Sequence, residues 1–413
     1  MKVSAGKILM LLENSFPQDS RVRHEAYHLS SQGYTVYIVA LRWKDQSFKE
    51  KLNGVTVFRL PEINLFKKSN LKTSRIHSLL YNLRSAIGYF VEYIYFTMGC
   101  FLLSLFIHVK YGFQVIHLHN PPNTLVIIAA FYRMFGKKFV FDHHDLSAEL
   151  FLSRYNKKGG VIYWYLLLEE KICLRLANLI IATNESYKAI DMARGRRSEG
   201  DIFVVRNGPT REDMDLLPAE KSSSDHNKSI LVYIGIMGPQ DGVDYLLKSL
   251  ADLVYKLHRK DFYTVIIGTG DSLPDLRTLC RDLNLENYVR FTGFIPKPEL
   301  LSYLSAADIC LDPNPSSPLN DYSTWIKVME YMSYGKPIVS FNLKETRYSA
   351  REAAVYVTPN DVVAYALAIR DLMDDPARRK KMGSYGYQRV WNELSWEHVS
   401  KNLTAAYQVL FDH

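Results

Sequence analysis

Histidines and carboxylates cluster at one point in the first half of the sequence. Residues 142–145 read Asp-His-His-Asp and directly follow the apolar run 139–141. Imidazoles titrate near neutral pH and flanking carboxylates shift that titration, so such a cluster suits proton transfer or hydrogen bonding to a reacting group. His144 and Asp145 are therefore predicted as catalytic residues.

Two further polar clusters leave apolar runs in the same half. Asp19 and Arg21 follow the first run, and His119 and Asn120 follow a later one. Arg21 could neutralise a phosphate, or it could form a salt bridge with Asp19 or Glu25 at a helix start. His119 and Asn120 precede two prolines and could line a cleft or belong to a simple turn. For both clusters the two alternatives stay open.

Glycine-rich loops follow apolar runs in the second half. One contains Gly238 and Gly242 and precedes a helical pattern that begins near Val243. Glycine lets a backbone approach a phosphate closely, although such a loop can also be only a tight turn. Another loop, residues 268–270, lacks the third glycine of a dinucleotide fingerprint and is weak support for NAD.

The most informative loop, residues 313–322, leads into a helical pattern. Ser323 or Thr324 is predicted to cap that helix, and a Gly-Lys-Pro sequence to end it. Lys327 and Glu330 then lie within one turn of each other and offer partners for a phosphate and a ribose. The alternative is a surface salt bridge between these two side chains.

Neither a metal ion nor another cofactor is expected. No second histidine and carboxylate cluster stands at the spacing that metal ligands require. The four cysteines stand singly and are expected to be reduced, buried thiols: Cys100, Cys173, Cys280 and Cys310.

Short apolar runs separated by longer helical patterns must position these residues. Buried strands that alternate with helices indicate parallel βα units. In the first half the runs are residues 8–12, 36–40, 55–60, 115–118, 139–141, 179–182 and 202–205. In the second half they are residues 230–234, 264–267, 289–291, 309–311, 338–340 and 354–357.

The repeated alternation predicts an α/β protein with two doubly wound, parallel-sheet, Rossmann-like domains. Residues 1–208 form the first domain, the polar segment 209–229 a linker, and residues 230–384 the second domain. The helical pattern of about 385–413 is expected to pack back on the first domain. In such domains strand carboxyl ends and helix N-termini attract phosphate, so a diphosphate ligand in a cleft between the two is expected.

Residues 87–107 form an apolar run about as long as a membrane span, with Glu92 as its one charge. Basic residues precede it: Lys67, Lys68, Lys72, Arg75 and Arg84. Residues 67–107 could therefore contact an anionic membrane surface. The alternatives are a helix buried in the first domain and a true membrane span.

Composition sets wider limits. With 47% apolar and 23% charged residues the chain is typical of a globular protein. The net charge of +8 favours polyanions, anionic lipids or a diphosphate without choosing among them, and no nucleic-acid partner is expected. The first apolar run is too short for a signal peptide, so a cytoplasmic protein is expected, which could bind peripherally to the inner face of the plasma membrane.

Several segments together resemble the retaining glycosyltransferases of family four, which have the GT-B fold. They include the Asp19-Ser-Arg21-Val segment, the pair His144 and Asp145, Asn207-Gly208, the glycine loop that follows Tyr233, Gly293-Phe294, and Glu330-Tyr-Met-Ser-Tyr-Gly-Lys-Pro. The resemblance covers nearly the whole chain. It implies that Glu330 binds the donor ribose, that Gly293 and Phe294 lie by the base, and that His144 contacts the transferred sugar.

The sequence departs from the family at three positions. Tyr322 stands where the family has the first acid of its paired-glutamate motif, and Asp321 could supply the missing contact. Ile236 and Asp241 stand where the family has the Arg and Lys that grip the diphosphate. These changes resemble a subgroup of exopolysaccharide and cell-surface glycan enzymes. We hypothesise that Lys327 and the helix N-terminus, with Ser323, Thr324 and the backbone at Gly238 and Gly242, hold the donor diphosphate instead.

The expected activity is transfer of a sugar, with retention, from a nucleoside-diphosphate sugar to a hydroxyl of a glycan or lipid-linked acceptor. Two alternatives remain. One is a nucleotide-sugar epimerase or phosphorylase of the same fold. The other is a membrane-associated binding module with a degenerate nucleotide site.

Overall fold

A computed structural model of the chain describes residues 5–43, 45–63, 75–155, 159–214 and 228–412. It divides into two compact units. Unit 1 comprises the described residues up to Ala148, Val161–Val205 and those from Ser400 onwards, and unit 2 comprises Glu149–Gly160 and Arg206–Val399. The main boundary lies three residues before the predicted end of the first domain. The last helix does return to unit 1, but only from Ser400.

Unit 1 is built on an eight-stranded sheet with the order β3-β4-β2-β1-β5-β6-β7-β8. The strands are β1 (Ala5–Ser15), β2 (Tyr34–Arg42), β3 (Lys49–Leu52), β4 (Val55–Pro61), β5 (Val115–His119), β6 (Lys138–His143), β7 (Leu179–Ala182) and β8 (Ile202–Val204). All pair in parallel except β3, which pairs antiparallel with β4. The sequence did not predict β3, because its Lys-Glu-Lys-Leu has no apolar run.

Helices α1 (Ser20–Ser31), α2 (Arg75–Lys110), α3 (Val126–Arg133), α4 (Ser147–Tyr155), α5 (Val161–Leu176) and α6 (Glu185–Gly195) connect these strands. Local capping defines several ends. Asp19 accepts a hydrogen bond from the amide of Val22 at the start of α1, and Asn184 does the same for α6 through Tyr187.

Unit 2 carries a six-stranded parallel sheet with the order β11-β10-β9-β12-β13-β14. Its strands are β9 (Ser229–Ile234), β10 (Phe262–Ile267), β11 (Val289–Gly293), β12 (Ile309–Asp312), β13 (Ile338–Phe341) and β14 (Ala354–Val357). Its helices are α7 (Val243–Tyr255), α8 (Leu273–Asp282), α9 (Lys297–Ala306), α10 (Ile326–Ser333), α11 (Lys344–Ala350), α12 (Val362–Asp374) and α13 (Pro376–Arg389). The last helix, α14 (Trp396–Asp412), begins in unit 2 and ends in unit 1. The predicted α/β architecture and all thirteen predicted strands are confirmed.

The predicted start of α10 is wrong. The helix begins at Ile326 after Trp325 as N-cap, and no side chain caps it. Ser323 instead donates its hydroxyl to the carbonyl of Leu319, four residues earlier in the loop. Ser and Thr cap helices only where the backbone leaves their side chain facing the first turn, and here the loop closes on itself before the helix starts.

The apolar run 87–107 lies within α2. Its segment Val91–Lys110 is the one helix in the described part of the chain that is long and apolar enough to cross a membrane, and 22% of it is buried. One face packs on the rest of unit 1 through Phe96, Cys100 and Ile107, whereas most of this segment is not buried, so the structure does not favour the alternative of a helix buried in the first domain. The basic residues 67, 68 and 72 lie outside the described residues, as does most of the predicted linker.

Candidate functional site

The topology of unit 1 brings the predicted residues of the first half to one edge of the sheet. From β1 the chain moves outward to β2 in one direction, and later to β5 on the other side of β1. In doubly wound sheets ligands bind beyond the strand carboxyl ends at such a switch point. Asp19 and Arg21 follow β1, and His119 and Asn120 end β5 beside the end of β6.

Asp142, the first residue of the Asp-His-His-Asp run, is the centre of a buried network. One of its carboxylate oxygens accepts hydrogen bonds from Nε of Arg21 at 2.8 Å, from Nδ1 of His119 at 2.9 Å and from Nδ1 of His144 at 3.1 Å. The other oxygen accepts from Nη2 of Arg21 at 2.6 Å. Burial would raise the pKa of this carboxyl, but the charge of Arg21 holds the pKa well below its usual range.

His144 is the member of this network that reaches the surface, with 17% of its side chain exposed, whereas His119 and Asp142 are fully buried. Burial would lower the pKa of His144, but the neighbouring Asp142 carboxylate raises it above the ordinary value. Burial lowers the pKa of His119 despite its bond to the same carboxylate. Of these two rings, His144 is therefore the one whose surroundings favour the imidazolium form.

Asn120 fixes the backbone that carries His144. Its amide oxygen accepts hydrogen bonds from the backbone N–H groups of His144 and Asp145, and its amide nitrogen donates to the carbonyl of Asp145. These three bonds lock the loop after β6 to the end of β5. Asn120 thus lies at the predicted site, where it orders the loop rather than forming a simple turn.

The structure gives Arg21 a different partner from the one suggested by its sequence position. Its side chain is buried and binds Asp142, the carbonyl of Val205 and, at 3.3 Å, Glu25. The helix-entry pair with Glu25 is present, and the guanidinium is already engaged rather than presented to a phosphate. Asp19 meanwhile caps α1.

Sequence reasoning did not select Asp142 as a site residue. The available signal was strand alternation: in β6 successive side chains point to opposite faces, so Asp142 and His143 must face different neighbours. Arg21 follows β1, two strands away in the same parallel sheet, and a charged residue at that edge could have indicated a buried acid at the end of β6.

His143 forms a second buried network on the other face of β6. Its Nδ1 lies 2.6 Å from Asp191, its Nε2 lies 3.6 Å from Glu170, and Arg194 binds Glu170 at 2.8 Å. Burial would lower the pKa of His143, but the two carboxylates raise it to about 10. This histidine is therefore a buried cation that ties β6 to α5 and α6.

One group in the described residues could bring metal-ligand atoms together. Glu25, His117, His119 and Asp142 each offer one ligand atom, and these atoms lie within 4.8 Å of one another. Arg21 already supplies a positive charge to both carboxylates of this group. The absence of a metal requirement stays a prediction.

In unit 2 the equivalent switch point lies between β9 and β12. The glycine loop follows β9 and the 313–322 loop follows β12, so the topology brings both predicted donor loops together. Asn314 and Asn320, which the sequence did not single out, join them, because both donate their side-chain amides to the carbonyl of Gln240. These bonds give the buried side-chain amide nitrogens of both asparagines a partner in the neighbouring loop.

Close packing explains one glycine of the first loop. Gly242 has a φ of +70°, and a Cβ there would lie 2.0 Å from the carbonyl oxygen of Pro313. Gly238 instead donates its backbone N–H to the carboxylate of Asp241 at 3.0 Å. Asp241 therefore occupies one backbone donor that an anion could otherwise use.

Lys327 is buried, with 7% of its side chain exposed. Its ammonium lies 3.3 Å from Asp312 at the end of β12 and 4.8 Å from the ring centre of Tyr233. It also interacts electrostatically with Asp241, whose pKa is raised mainly by burial. The predicted surface pair with Glu330 is therefore not the main interaction of Lys327, which compensates buried acids.

The remaining predicted residues of unit 2 lie around these loops. Asp321 accepts a hydrogen bond from the hydroxyl of Ser316, and Thr324 lies 3.4 Å from Nη1 of Arg206. Glu330 is partly exposed on α10, and burial raises its pKa. Gly293, with a φ of +75°, ends β11 and turns the chain so that Phe294 is 84% exposed.

Comparison with protein families divides the chain at the same place as the structure. The model for Glycosyltransferase Family 4 matches residues 19–210, and the model for Glycosyl transferases group 1 matches residues 218–389. The two matches therefore follow units 1 and 2 closely.

The curated relatives have low sequence identity to this chain and match only part of it. An uncharacterized glycosyltransferase, MJ1607, of Methanocaldococcus jannaschii is 23% identical over 56% of this chain and 60% of its own length. A GDP-mannose-dependent monoacylated alpha-(1-6)-phosphatidylinositol monomannoside mannosyltransferase of Corynebacterium glutamicum is 30% identical over 40% of this chain and 43% of its own length. The chain thus matches about half of each relative.

Solved structures share the whole fold. Sucrose-phosphate synthase from Thermosynechococcus elongatus superposes with a TM-score of 0.69 at 20% identity, covering 98% of this chain and 99% of that one. Anabaena HepE in complex with UDP-glucose gives a TM-score of 0.69 at 15% identity, covering 99% of this chain and all of that one. These likenesses confirm the expected GT-B fold.

Replacing Lys327 by Met should destabilise unit 2. The change leaves Asp312 buried without its cation, and losing one partner of a buried ion pair costs about 3–5 kcal/mol. Urea denaturation of the single variants and of the double variant with Asp312→Asn measures this effect. The double variant should be more stable than the sum of the two single losses indicates; a Lys327→Met protein with the stability of the wild type would contradict the assignment.

The pair of His143 with Asp191 should make stability depend on pH. An unfolded histidine has a pKa of about 6.5, and the folded value is raised to about 10. The contribution to the free energy of unfolding is therefore complete below about pH 6.5 and is lost as the pH rises through the folded pKa, at up to about 1.4 kcal/mol per pH unit. Denaturation of the wild type and His143→Gln at pH 6 to 10 should show a stability gap that narrows with rising pH; a constant gap would contradict the charged state of His143.

Proposed function

We infer that this chain belongs to the two-domain glycosyltransferases that these two family models describe. On that premise we propose that it transfers a sugar from a nucleoside-diphosphate sugar to an acceptor hydroxyl. The observation that carries the proposal is the switch point of unit 2, where the loops after β9 and β12 are held together beside α10. Relatives are named as users of GDP-mannose, and a fold neighbour was solved with UDP-glucose.

The donor nucleoside would bind near the end of β11. Phe294 is 84% exposed there, and Ile236 at the start of the glycine loop is 70% exposed. An exposed aromatic ring offers a flat face on which a nucleobase can stack. Glu330, one turn into α10, would accept hydrogen bonds from the ribose hydroxyls.

The diphosphate would be held mainly by the N-terminus of α10. No side chain caps that helix, and the first backbone N–H groups of a helix attract anions. Ser323, Thr324 and the backbone at Gly238 and Gly242 border this position. Lys327, bound to Asp312 in the protein interior, would contribute its positive charge from a distance rather than by direct contact.

The reaction would proceed with retention at the anomeric carbon. In a front-face transfer the leaving diphosphate accepts the proton of the acceptor hydroxyl, so the protein needs no nucleophile. It has to orient both substrates and stabilise the charge that develops on the phosphate. His144 and Asp145 would contact the transferred sugar, Asp321 would supply the sugar contact that Tyr322 lacks, and no metal ion or other cofactor would take part.

The acceptor would be a glycan or a lipid-linked sugar in cell-surface or exopolysaccharide synthesis, at the cytoplasmic face of the membrane. Support comes from α2, whose exposed face is an apolar stripe at helical spacing: Val91, Ile94, Met98, Leu102, Phe106 and Val109. Its other face packs on unit 1, with Thr97 bound to Thr124 and Phe101 against Phe131. A helix fixed in a folded domain on one face and apolar on the other suits an interfacial position better than a membrane span.

Apolar side chains are also exposed on the neighbouring helices. Ile127 on α3 is 67% exposed, and Val161, Trp164 and Leu168 on α5 are 87%, 63% and 55% exposed. Lys171 and Arg175 follow on α5. Tryptophan and basic side chains next to aliphatic ones are typical of surfaces that lie at the boundary between water and lipid headgroups.

Nucleoside diphosphates should raise the melting temperature of the protein, and Phe294→Ala should weaken that effect. Loss of one aromatic stacking partner costs about 1–3 kcal/mol, which corresponds to roughly tenfold to a hundredfold weaker donor binding. Thermal shifts with UDP, GDP, ADP and dTDP and their sugars measure the binding, and mass spectrometry with lipid-linked acceptors measures transfer. Val363→Ala, an exposed apolar side chain on α12, is the control.

The same assay separates the other candidate activities. Loss of donor without any acceptor would favour an epimerase or phosphorylase. Failure of every nucleoside diphosphate to shift the melting temperature would contradict the donor site and favour a binding module.

The apolar stripe on α2 should determine vesicle binding. Wild-type protein should sediment with vesicles that contain anionic lipid, and Met98→Glu combined with Leu102→Glu should weaken binding about tenfold or more, because two charges would enter the apolar boundary. Lys51→Glu, on exposed β3, changes the net charge by the same amount and should have a smaller effect. Equal binding of the stripe variant and the wild type would rule out α2 as the contact.

A further inference from the structure

We propose that Asp142, together with Arg21, is a positioning residue that keeps Nδ1 of His144 protonated and leaves Nε2 as the nitrogen that meets the substrate. The inference rests on the proposed function only in the identity of that substrate, a sugar. The arrangement itself lies wholly within unit 1.

The hydrogen-bond pattern at Asp142 determines where the protons lie. A carboxylate that accepts two hydrogen bonds from Arg21, one of 2.8 Å and one of 2.6 Å, is ionised and has no proton to donate. Each imidazole nitrogen that lies within hydrogen-bond distance of it must therefore carry a hydrogen. Nδ1 of His144, at 3.1 Å, is such a nitrogen.

Arg21 is what keeps the carboxylate ionised in a fully buried position. Its third nitrogen, Nη1, donates to the carbonyl of Val205, so the guanidinium is held by partners from two parts of unit 1. A planar, permanently charged side chain fixed in this way cannot transfer its proton, and it leaves Asp142 as a pure acceptor.

His144 and His119 share the same oxygen of Asp142 but have different surroundings. The ring centres of His144 and His119 are 6.3 Å apart, and His119 stacks on His117 with 4.2 Å between their ring centres. His117 bonds to the hydroxyl of Tyr407, and both rings are fully buried. His144 alone in this network combines the bond to Asp142 with exposed surface.

The charged and titratable groups around His144 come from three elements. Asp142 and Asp145 flank it in sequence, His117 and His119 approach from β5, and Arg21 and Glu25 approach from α1. The charge of Arg21 lowers the pKa of His144, and the charge of Asp145 raises it. Among the groups that raise this pKa, Asp142 has the largest effect. Burial raises the pKa of Glu25.

A fixed Nδ1 proton defines what Nε2 can do. In the imidazolium Nε2 donates to an oxygen of the sugar, and in the neutral ring it accepts from a hydroxyl. The other neutral tautomer would set a lone pair of Nδ1 against a lone pair of the carboxylate, which the 3.1 Å separation makes unfavourable. Asp142 therefore acts on the substrate only through His144.

Replacing Asp142 by Asn tests this directly. The amide removes the negative charge that favours a hydrogen on Nδ1, so the pKa of His144 should fall by one unit or more and the fraction of the neutral ring in the Nε2–H tautomer should rise. NMR of protein labelled with 13C and 15N in its histidines, with His144→Gln to assign the signal, measures both properties without any substrate. In turnover, the pH limb that His144→Gln abolishes should shift by the same amount, with kcat reduced more than KM is raised.

Asp191→Asn is the matched control. Asp191 is a buried carboxylate that binds Nδ1 of His143, the adjacent residue of β6, at 2.6 Å. Its loss should change the signal of His143 and leave the pKa and tautomer of His144 unchanged. If both variants shift His144 equally, general loosening of β6 explains the effect and the proposal is wrong.

His119→Phe gives an independent result if Asp142→Asn does not fold. The phenyl ring can keep the stacking on His117 while it removes one donor from Asp142, so the pKa of His144 should rise. A fall, or no change, would overturn the proposal. Because the NMR measurements need no turnover, a wild-type protein that transfers no sugar would contradict the proposed function but not the role of Asp142.

Discussion

The buried ion pair between Arg21 and Asp142 is the interaction on which the order of unit 1 depends. Arg21 begins α1 after the central strand, and Asp142 lies near the end of β6, two strands away in the sheet. Their bonds, with the bond from Arg21 to the carbonyl of Val205, join segments that are 121 and 184 residues apart in sequence. Desolvating two charges is costly unless close geometry and further hydrogen bonds compensate it, and here each nitrogen of the guanidinium and each oxygen of the carboxylate has a partner.

Unit 2 also contains a buried ion pair, formed by different residues. Asp312 ends the strand next to the central one, and Lys327, from the first turn of α10, is its buried cation. In each unit a basic residue of the switch-point region neutralises a buried acid. The positive charge available to an anionic ligand near α10 is therefore that of a helix N-terminus, and the basic side chain acts mainly as an internal counter-ion.

The sequence predicts the scaffold well because the scaffold depends on local patterns. Buried parallel strands are continuous apolar runs, and all thirteen that were predicted are present. The edge strand β3 has no such run, since an edge strand with one exposed face needs little apolar surface. Charge pairing is different: Lys327 and Asp312 are 15 residues apart and Arg21 and Asp142 are 121 residues apart, so only the folded topology reveals that they compensate each other. The prediction for the start of α10 was also wrong, because the hydroxyl of Ser323 donates a hydrogen bond to Leu319 in its own loop instead of capping the helix.

Two adjacent histidines show how far a residue type alone can be interpreted. His143 and His144 are adjacent in sequence, and both have carboxylate partners and raised pKa values. The alternation of β6 directs His143 toward α5 and α6, where it is fully enclosed, while His144 retains exposed surface. The enclosed ring can influence only the stability of the fold, whereas the exposed ring can also meet a ligand. A shifted pKa therefore marks a buried ion pair in both cases, and only the geometry around each ring separates structural from chemical roles.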